Sequence, residues 1–341
     1  MSYRVQGNYI DRVYNTVAAF AANAAVTFQL TTTSIVAELQ FRLTGTLTNA
    51  GFSAAPTKRV ESLENLIALL NISGNGKVTG AQSAAFNATD AAYMAYKTRC
   101  MEGTQPERVD VGTTNAAYNF VSTFKKYFGA KRSGSASFYQ STFLDSRNLS
   151  SFTAAFQWRD VTALIDPTTG TGGTSTLSNV QVTILSREYQ GGPPTANAPY
   201  VQESQRAFNI VNSQLAQPFL NAPTGGWMPR QTFKGLVGDT NYADPSDALI
   251  ATTLRAEGAH LTTIQNGNYT WMDTTYAHAR AIAKTLYQLE TVPTGYATLE
   301  YPGGLNLASA LTLQNNLDIT YTGGNTNTLQ ITDEQVIFAK K

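Results

Sequence analysis

Apolar and polar residues alternate with a period of two from Ala25 onward. Val26, Phe28 and Leu30 are followed by Leu39, Phe41, Leu43 and Leu47, with Glu38, Gln40, Arg42, Thr44 and Thr46 between them. Such alternation makes one apolar and one polar face, the signature of a half-buried antiparallel strand, and predicts strands over about 25–30 and 35–48. SLENLIALL reads as a short helix with Ser62 as its N-cap. NISGNGKVTG carries Asn75-Gly76, a dipeptide suited to a type I′ turn. Helices are predicted for DAAYMAYKTR (90–99) and for NAAYNFVSTFKKYFG. Strands return at 135–144, 152–165 and 179–189.

QGGPP (190–194) can continue neither a strand nor a helix and marks a break between domains. Beyond it the order recurs. QTFKGLVG reads as a strand, and IQNGNYTW repeats the Asn-Gly dipeptide at 266–267. TTYAHARAIAKTLYQ repeats the helix after the first Asn-Gly. GYATLEY matches SASFYQS, and LNLASALTLQNNLDITY matches RNLSSFTAAFQWRDVTA. GGTSTLSNVQVTIL, starting at Gly172, and GGNTNTLQITDEQVIF, starting at Gly323, close the two halves alike. The first half carries about forty extra residues, most of them assigned to Cys100–Lys131, and insertions of that size belong in loops. The chain therefore holds two copies of one β-rich unit. Eight antiparallel strands per copy, in two packed sheets, make a jelly roll. The predicted fold is all-β: two tandem eight-stranded jelly rolls with short helices in the connections, an N-terminal amphipathic arm at 1–24, a first roll at 25–190 and a second at 191–341.

Composition changes this picture little. At 341 residues two domains are expected, and 42% apolar residues suffice for two cores. Charged residues are only 14%, below the roughly 25% of an average soluble protein. The surface must therefore be rich in neutral Thr, Asn, Ser and Gln, which suits broad contact between copies. A net charge of +1 gives no general attraction to nucleic acid. One cysteine, Cys100, precludes an internal disulfide framework. No continuous apolar stretch near the N-terminus reads as a signal peptide, and no run reaches the ~18 apolar residues of a membrane span.

Candidate chemistry is sparse. His260 and His278 lack zinc-ligand spacing, and no G-x-S-x-G elbow or P-loop is present, so neither a metal, a cofactor nor a catalytic centre is expected. Asp160 and Asp318 occupy matching places in the repeats and read as residues that end or bend one strand, although paired carboxylates in a β-sandwich also suit glycoside hydrolysis. FKKYFGAKR, with Lys125, Lys126, Lys131 and Arg132, reads as a solvated helix end rather than a single-stranded nucleic-acid site. Ile10, Val13, Tyr14, Val17 and Phe20 recur every three or four residues, predicting an amphipathic helix in the arm.

AVTFQLTTTSIVAELQFRLTGTLTN followed by ENLIALLNISGNGK resembles the opening of the first sandwich in double jelly-roll major capsid proteins of tailless icosahedral bacteriophages with an internal membrane. SASFYQSTFLDSRNLSSFTAAFQW and HARAIAKTLYQLETVPTGYATLEY resemble later passages of that family. The resemblance runs from about residue 25 to the end and rests on pattern and order. It implies a structural protein that self-assembles as pseudo-hexagonal homotrimeric capsomers into a virion shell, made in the host cytoplasm. Implied partners are further copies, minor capsid or vertex proteins and an internal lipid membrane. It also implies that the arm lies on the inner side of the shell, where Arg4, Ile10, Arg12, Val13, Tyr14, Val17 and Phe20 would meet lipid or a neighbouring capsomer; packing on its own sandwich is the alternative. Rival readings are a secreted carbohydrate-binding or adhesin β-sandwich and a two-domain hydrolase.

Overall fold

The computed structural model describes residues 9–76, 84–103, 107–131, 138–190, 199–221, 226–238, 243–261, 266–307, 313–323 and 326–338. The chain divides into two compact units near residue 200, with Lys131 and Phe138 going with the second.

In the first unit the main strands are β1 (Tyr9–Ala19), β2 (Ala25–Gln29), β3 (Ile35–Ala50), β4 (Ile67–Gly76), β5 (Ala84–Thr89), β6 (Ala117–Tyr127), β7 (Leu149–Trp158) and β8 (Thr174–Tyr189). They form two antiparallel layers in the orders β1-β8-β3-β6 and β2-β7-β4-β5. The second unit contains β9 (Tyr200–Ile210), β10 (Gln214–Asn221), β11 (Trp227–Gly238), β12 (Ile250–Leu261), β13 (Asn266–Thr275), β14 (Tyr296–Asn306), β15 (Leu313–Ile319) and β16 (Thr326–Ile337). Its layers run β9-β16-β11-β14 and β10-β15-β12-β13. Adding eight to each strand of the first unit reproduces the second. This is the strand order of two jelly rolls.

The period-two pattern places the cores. From β3, Leu39, Phe41, Leu43 and Leu47 point inward and are fully buried. Phe120 and Phe124 of β6, Val182 and Ile184 of β8, and Phe152, Ala154, Phe156 and Trp158 of β7 are buried in the same roll. Phe41 stacks on Phe124 at 5.6 Å and meets Phe156 of the opposite layer edge-on at 5.9 Å. The second core gathers Phe219, Met228, Phe233, Leu299, Leu317, Leu329 and Ile331.

One helix occupies the same connection in each unit. α1 (Ala91–Glu102) follows β5; Asp90 caps it by accepting the Tyr93 N–H at 2.6 Å, and Gly103 ends it at φ 74°. α2 (Tyr276–Leu286) follows β13, with the Thr275 hydroxyl accepting the His278 N–H at 3.1 Å. These are N-caps of the ordinary kind.

Several sequence expectations change. Residues 9–19 form strand β1, joined to β8 from Tyr9↔Tyr189 to Ala19↔Gln181, not the amphipathic helix predicted for the arm. The three-to-four spacing of Ile10, Val13, Tyr14 and Val17 was outweighed by an open sheet edge at β8, where residues 9–14, 18 and 19 gain ladder partners. NAAYNFVSTFKKYFG is likewise strand β6, because its aromatic and β-branched residues pair with β3 from Ala117↔Thr48 to Tyr127↔Glu38. In SLENLIALL only Glu64–Leu66 is helical, as one 3₁₀ turn, and Ile67 already begins β4. GYATLEY lies in β14, whose counterpart is β6 rather than SASFYQS. The extra length of the first unit is thus spread over 103–116, 128–148 and 159–173 instead of being concentrated at Cys100–Lys131.

Candidate functional site

The residues singled out from sequence do not converge. Asp160 lies beyond the end of β7 and caps a 3₁₀ turn, accepting from the Thr162 N–H at 2.9 Å. The Thr162 hydroxyl bond, aided by its backbone N–H and by Asn23, holds the Asp160 carboxyl below the usual range. Asp318 sits inside β15 and accepts the Ala216 N–H at 2.9 Å. Ala216 has φ 49° at a register break in edge strand β10, so Asp318 fastens a left-handed residue. The matched pair therefore does different jobs: one residue ends a strand, the other holds a bulge in its neighbour.

His278 is exposed on the first turn of α2. His260 lies in β12 opposite Gly267. Cys100 is buried in α1. Among the described residues no three His, Cys, Asp or Glu are grouped as a metal would require.

The basic cluster is neither a solvated helix end nor a nucleic-acid face. It lies on β6 and just beyond. Lys125 binds Glu102 at 2.6 Å and Glu38 at 3.5 Å, and Lys126 is fully buried with its ammonium 5.8 Å from the Phe128 ring centroid. Lys125 faces outward and is neutralised by Glu102 of α1 and Glu38 of β3, whereas Lys126 shares the inward parity of Phe120 and Phe124. Arg132 lies outside the described residues.

What the structure assembles instead are ionic groups across strands. On the outer face of the first roll, Arg187 of β8 binds Asp11 of β1 at 3.0 Å and Glu38 of β3 at 3.4 Å, and Glu38 in turn meets Lys125. Tyr127 donates to Glu102 at 2.8 Å; burial, followed by the charge of Glu102, pushes its hydroxyl far above the usual range. Glu188, almost fully buried, accepts from Arg12 at 3.2 Å and Ser34 at 2.7 Å. On the outer face of the second roll, Arg230 of β11 lies between Glu300 of β14 at 3.3 Å and Glu334 of β16 at 3.6 Å, all three nearly inaccessible. Inside that roll, Asp333 is bound by Arg206 at 2.5 Å and by Gln231 at 2.8 Å, while Gln231 also accepts from Asn315 and from Tyr301. Desolvation raises the Asp333 carboxyl above the ordinary range.

Chemically these carboxylates are occupied. Glu300 and Glu334 flank a guanidinium and are nearly inaccessible, whereas glycoside hydrolysis needs two carboxyls facing a substrate. The sequence signal for these groups was present but incomplete: parity puts Glu38, Gln40 and Arg42 on one face, yet only strand register says which charges oppose them.

Among the described residues, several exposed apolar side chains lie at sheet edges, and others, such as Val60, Leu69 and Ile282, lie elsewhere. Tyr9, Ile10 and Val13 of β1 are 58%, 41% and 52% exposed, and β1 is the terminal strand of its layer. At the β9–β10 connection Val211 and Leu215 are 70% and 80% exposed, Leu215 beside the Ala216 bulge. Of the arm residues predicted to make contacts, Ile10 and Val13 are exposed, while Arg12 and Tyr14 are partly covered and tied to Glu188 and Thr31. Phe20 packs edge-on against Trp158 at 5.4 Å. Arg4 and the side chain of Val17 lie outside the described residues.

No protein-family profile matches the sequence, and no curated protein is similar to it in sequence. Solved structures are similar in fold. A chain from the atomic structure of Sulfolobus Turreted Icosahedral Virus superposes with a TM-score of 0.71 at 13% identity, covering 97% of this chain and 91% of that one. The crystal structure of the STIV MCP gives 0.67 at 13% identity, with 97% of each chain covered. The major capsid protein P2 from Bacteriophage PM2 gives 0.57 at 11% identity, covering 97% and 98%. The fold is the double jelly roll of viral major capsid proteins.

Proposed function

We propose that this double jelly roll is the major subunit of an icosahedral virus shell, acting through contacts with other copies of itself and not through chemistry. The observation that carries the reading is the repetition of one strand order in both units, together with similarity along nearly the whole chain to capsid-protein folds. Three such chains around a three-fold axis would present six similar sandwiches, a near-hexagonal capsomer able to tile a closed surface. Neutral polar loops and low charge support this role, since they leave little like-charge repulsion between copies. On this reading the protein resides in the virion and is made in the host cytoplasm, with minor vertex proteins and an internal lipid membrane as further partners.

The arm belongs to the proposal in altered form. Ile10 and Val13 on edge strand β1 are the exposed apolar groups that would meet a neighbouring capsomer or lipid, and Arg12 would stay on Glu188. Light scattering and electron microscopy of the purified chain test the reading. Trimers that close into particles are expected; a strict monomer at every concentration and salt tried refutes it.

A further inference from the structure

The two rolls share more than strand order. Glu38 is the fourth residue of β3, and Arg230 is the fourth residue of β11, the corresponding strand. Both project from the outer face of their sheets, since Leu39 and Phe41 in one and Gln231 and Phe233 in the other alternate inward. Each stands between the same two neighbouring strands. Glu38 lies opposite Arg187 of β8 and Tyr127 of β6, with Lys125 two residues along from Tyr127 on the same face. Arg230 lies opposite Glu334 of β16 and Glu300 of β14. An acid between two bases in the first roll is thus replaced, at the equivalent place, by a base between two acids in the second.

We propose that these two sign-inverted triads are a sorting device that keeps the central strands of one roll out of the sheet of the other while the chain folds. Tandem units of the same topology are prone to exchange strands, because the antiparallel ladder and the period-two parity are common to β3 and β11. Inward the two strands differ where Leu39 stands in one and Gln231 in the other, and outward the charges separate them further. Were β3 to enter the second sheet in the homologous register, Glu38 would face Glu300 and Glu334, three carboxylates together. Were β11 to enter the first, Arg230 would lie opposite Arg187 and Tyr127, with Lys125 two residues along, three cations on one face. Like charges directly opposite across a sheet oppose pairing, and burial intensifies the effect. The second triad is buried to side-chain exposures of 4%, 6% and 1%, so solvent would screen a mismatch there very little. Buried ion pairs contribute little to net stability against apolar replacements, and fixing register is the use best attested for them.

The test compares refolding of three full-length chains from urea at low protein concentration: the wild type, a chain inverted in the second roll only, and a chain inverted in both. The second carries Arg230→Glu, Glu300→Lys and Glu334→Arg. The third adds Glu38→Lys, Arg187→Glu, Lys125→Glu, Asp11→Lys and Glu102→Lys, so that every charge in the first cluster keeps an opposite neighbour. The chain inverted in one roll has two triads of the same sign pattern and should recover about threefold less native protein, with a matching gain in misfolded species. The chain inverted in both rolls carries the same second-roll changes and more, yet its triads again differ, and its yield should return toward that of the wild type. Equal yields from all three chains overturn the proposal. So does an equal loss in both inverted chains, which would trace the defect to local damage in place of sign matching.

Discussion

Replacing Phe41 with Ala tests the claim that the two layers of the first roll are held by an aromatic bridge. Phe41 of β3 is fully buried, stacked on Phe124 within its own layer and edge-on to Phe156 of the facing layer. Losing the ring forfeits about 1.5–3 kcal/mol of apolar transfer. A void of roughly 100 Å³, at about 24 cal/mol per Å³ where the walls do not collapse, adds about 2.4 kcal/mol. The expected loss is therefore about 4–5 kcal/mol, at the upper end for such truncations and a large part of the stability of a single domain. Calorimetry should show a transition about 10–15 °C lower. A cycle with Phe156→Ala isolates the contact between layers, for which a coupling of about 0.5–1.5 kcal/mol is expected. A loss under about 1 kcal/mol, or zero coupling with Phe156, refutes the bridge.

Three further perturbations have defined outcomes. Gly304→Ala should destabilise the second roll by more than about 2 kcal/mol: its φ is 76° and an added Cβ would fall 1.3 Å from the Trp227 indole nitrogen, so a urea midpoint equal to wild type contradicts the geometry. Arg12→Ala removes a partner of the nearly buried Glu188 and should cost about 1–2 kcal/mol, seen as faster amide exchange along β1 than along β3; unchanged β1 protection would refute the role of that pair. Stability should also respond to acid with opposite signs. Asp160 is depressed when folded, so its contribution is present above about pH 4 and is lost as pH falls through its lower folded value, whereas Asp333 is raised, so its folded form takes up a proton first and stability grows as pH falls toward about 4. Denaturation curves of Asp160→Asn and Asp333→Asn across mild acid should flatten these two slopes respectively, and parallel behaviour with wild type would contradict the assignment.

Alternation alone determined a good deal of this protein. It located β2, β3, β7 and β8, the inward row Leu39, Phe41, Leu43 and Leu47, and the recurrence of one unit after the Gly/Pro break. It did so because inward and outward positions of a half-buried strand differ by transfer free energy, and that difference is written in each residue. Both helices were legible too, at DAAYMAYKTR and TTYAHARAIAKTLYQ, and the structure shows each one capped locally, by Asp90 and Thr275, with no distant partner needed. The segments that misled are those whose state depends on a neighbour. Residues 9–19 and 117–127 carry spacings compatible with a helix, and only the open edges of β8 and β3 made them strands. Register lay equally out of reach. The sequence shows Glu38, Arg187, Arg230, Glu300 and Glu334 as scattered charges, and tertiary pairing alone sets them opposite one another with inverted signs, because Coulomb energy depends on distances that no single segment contains.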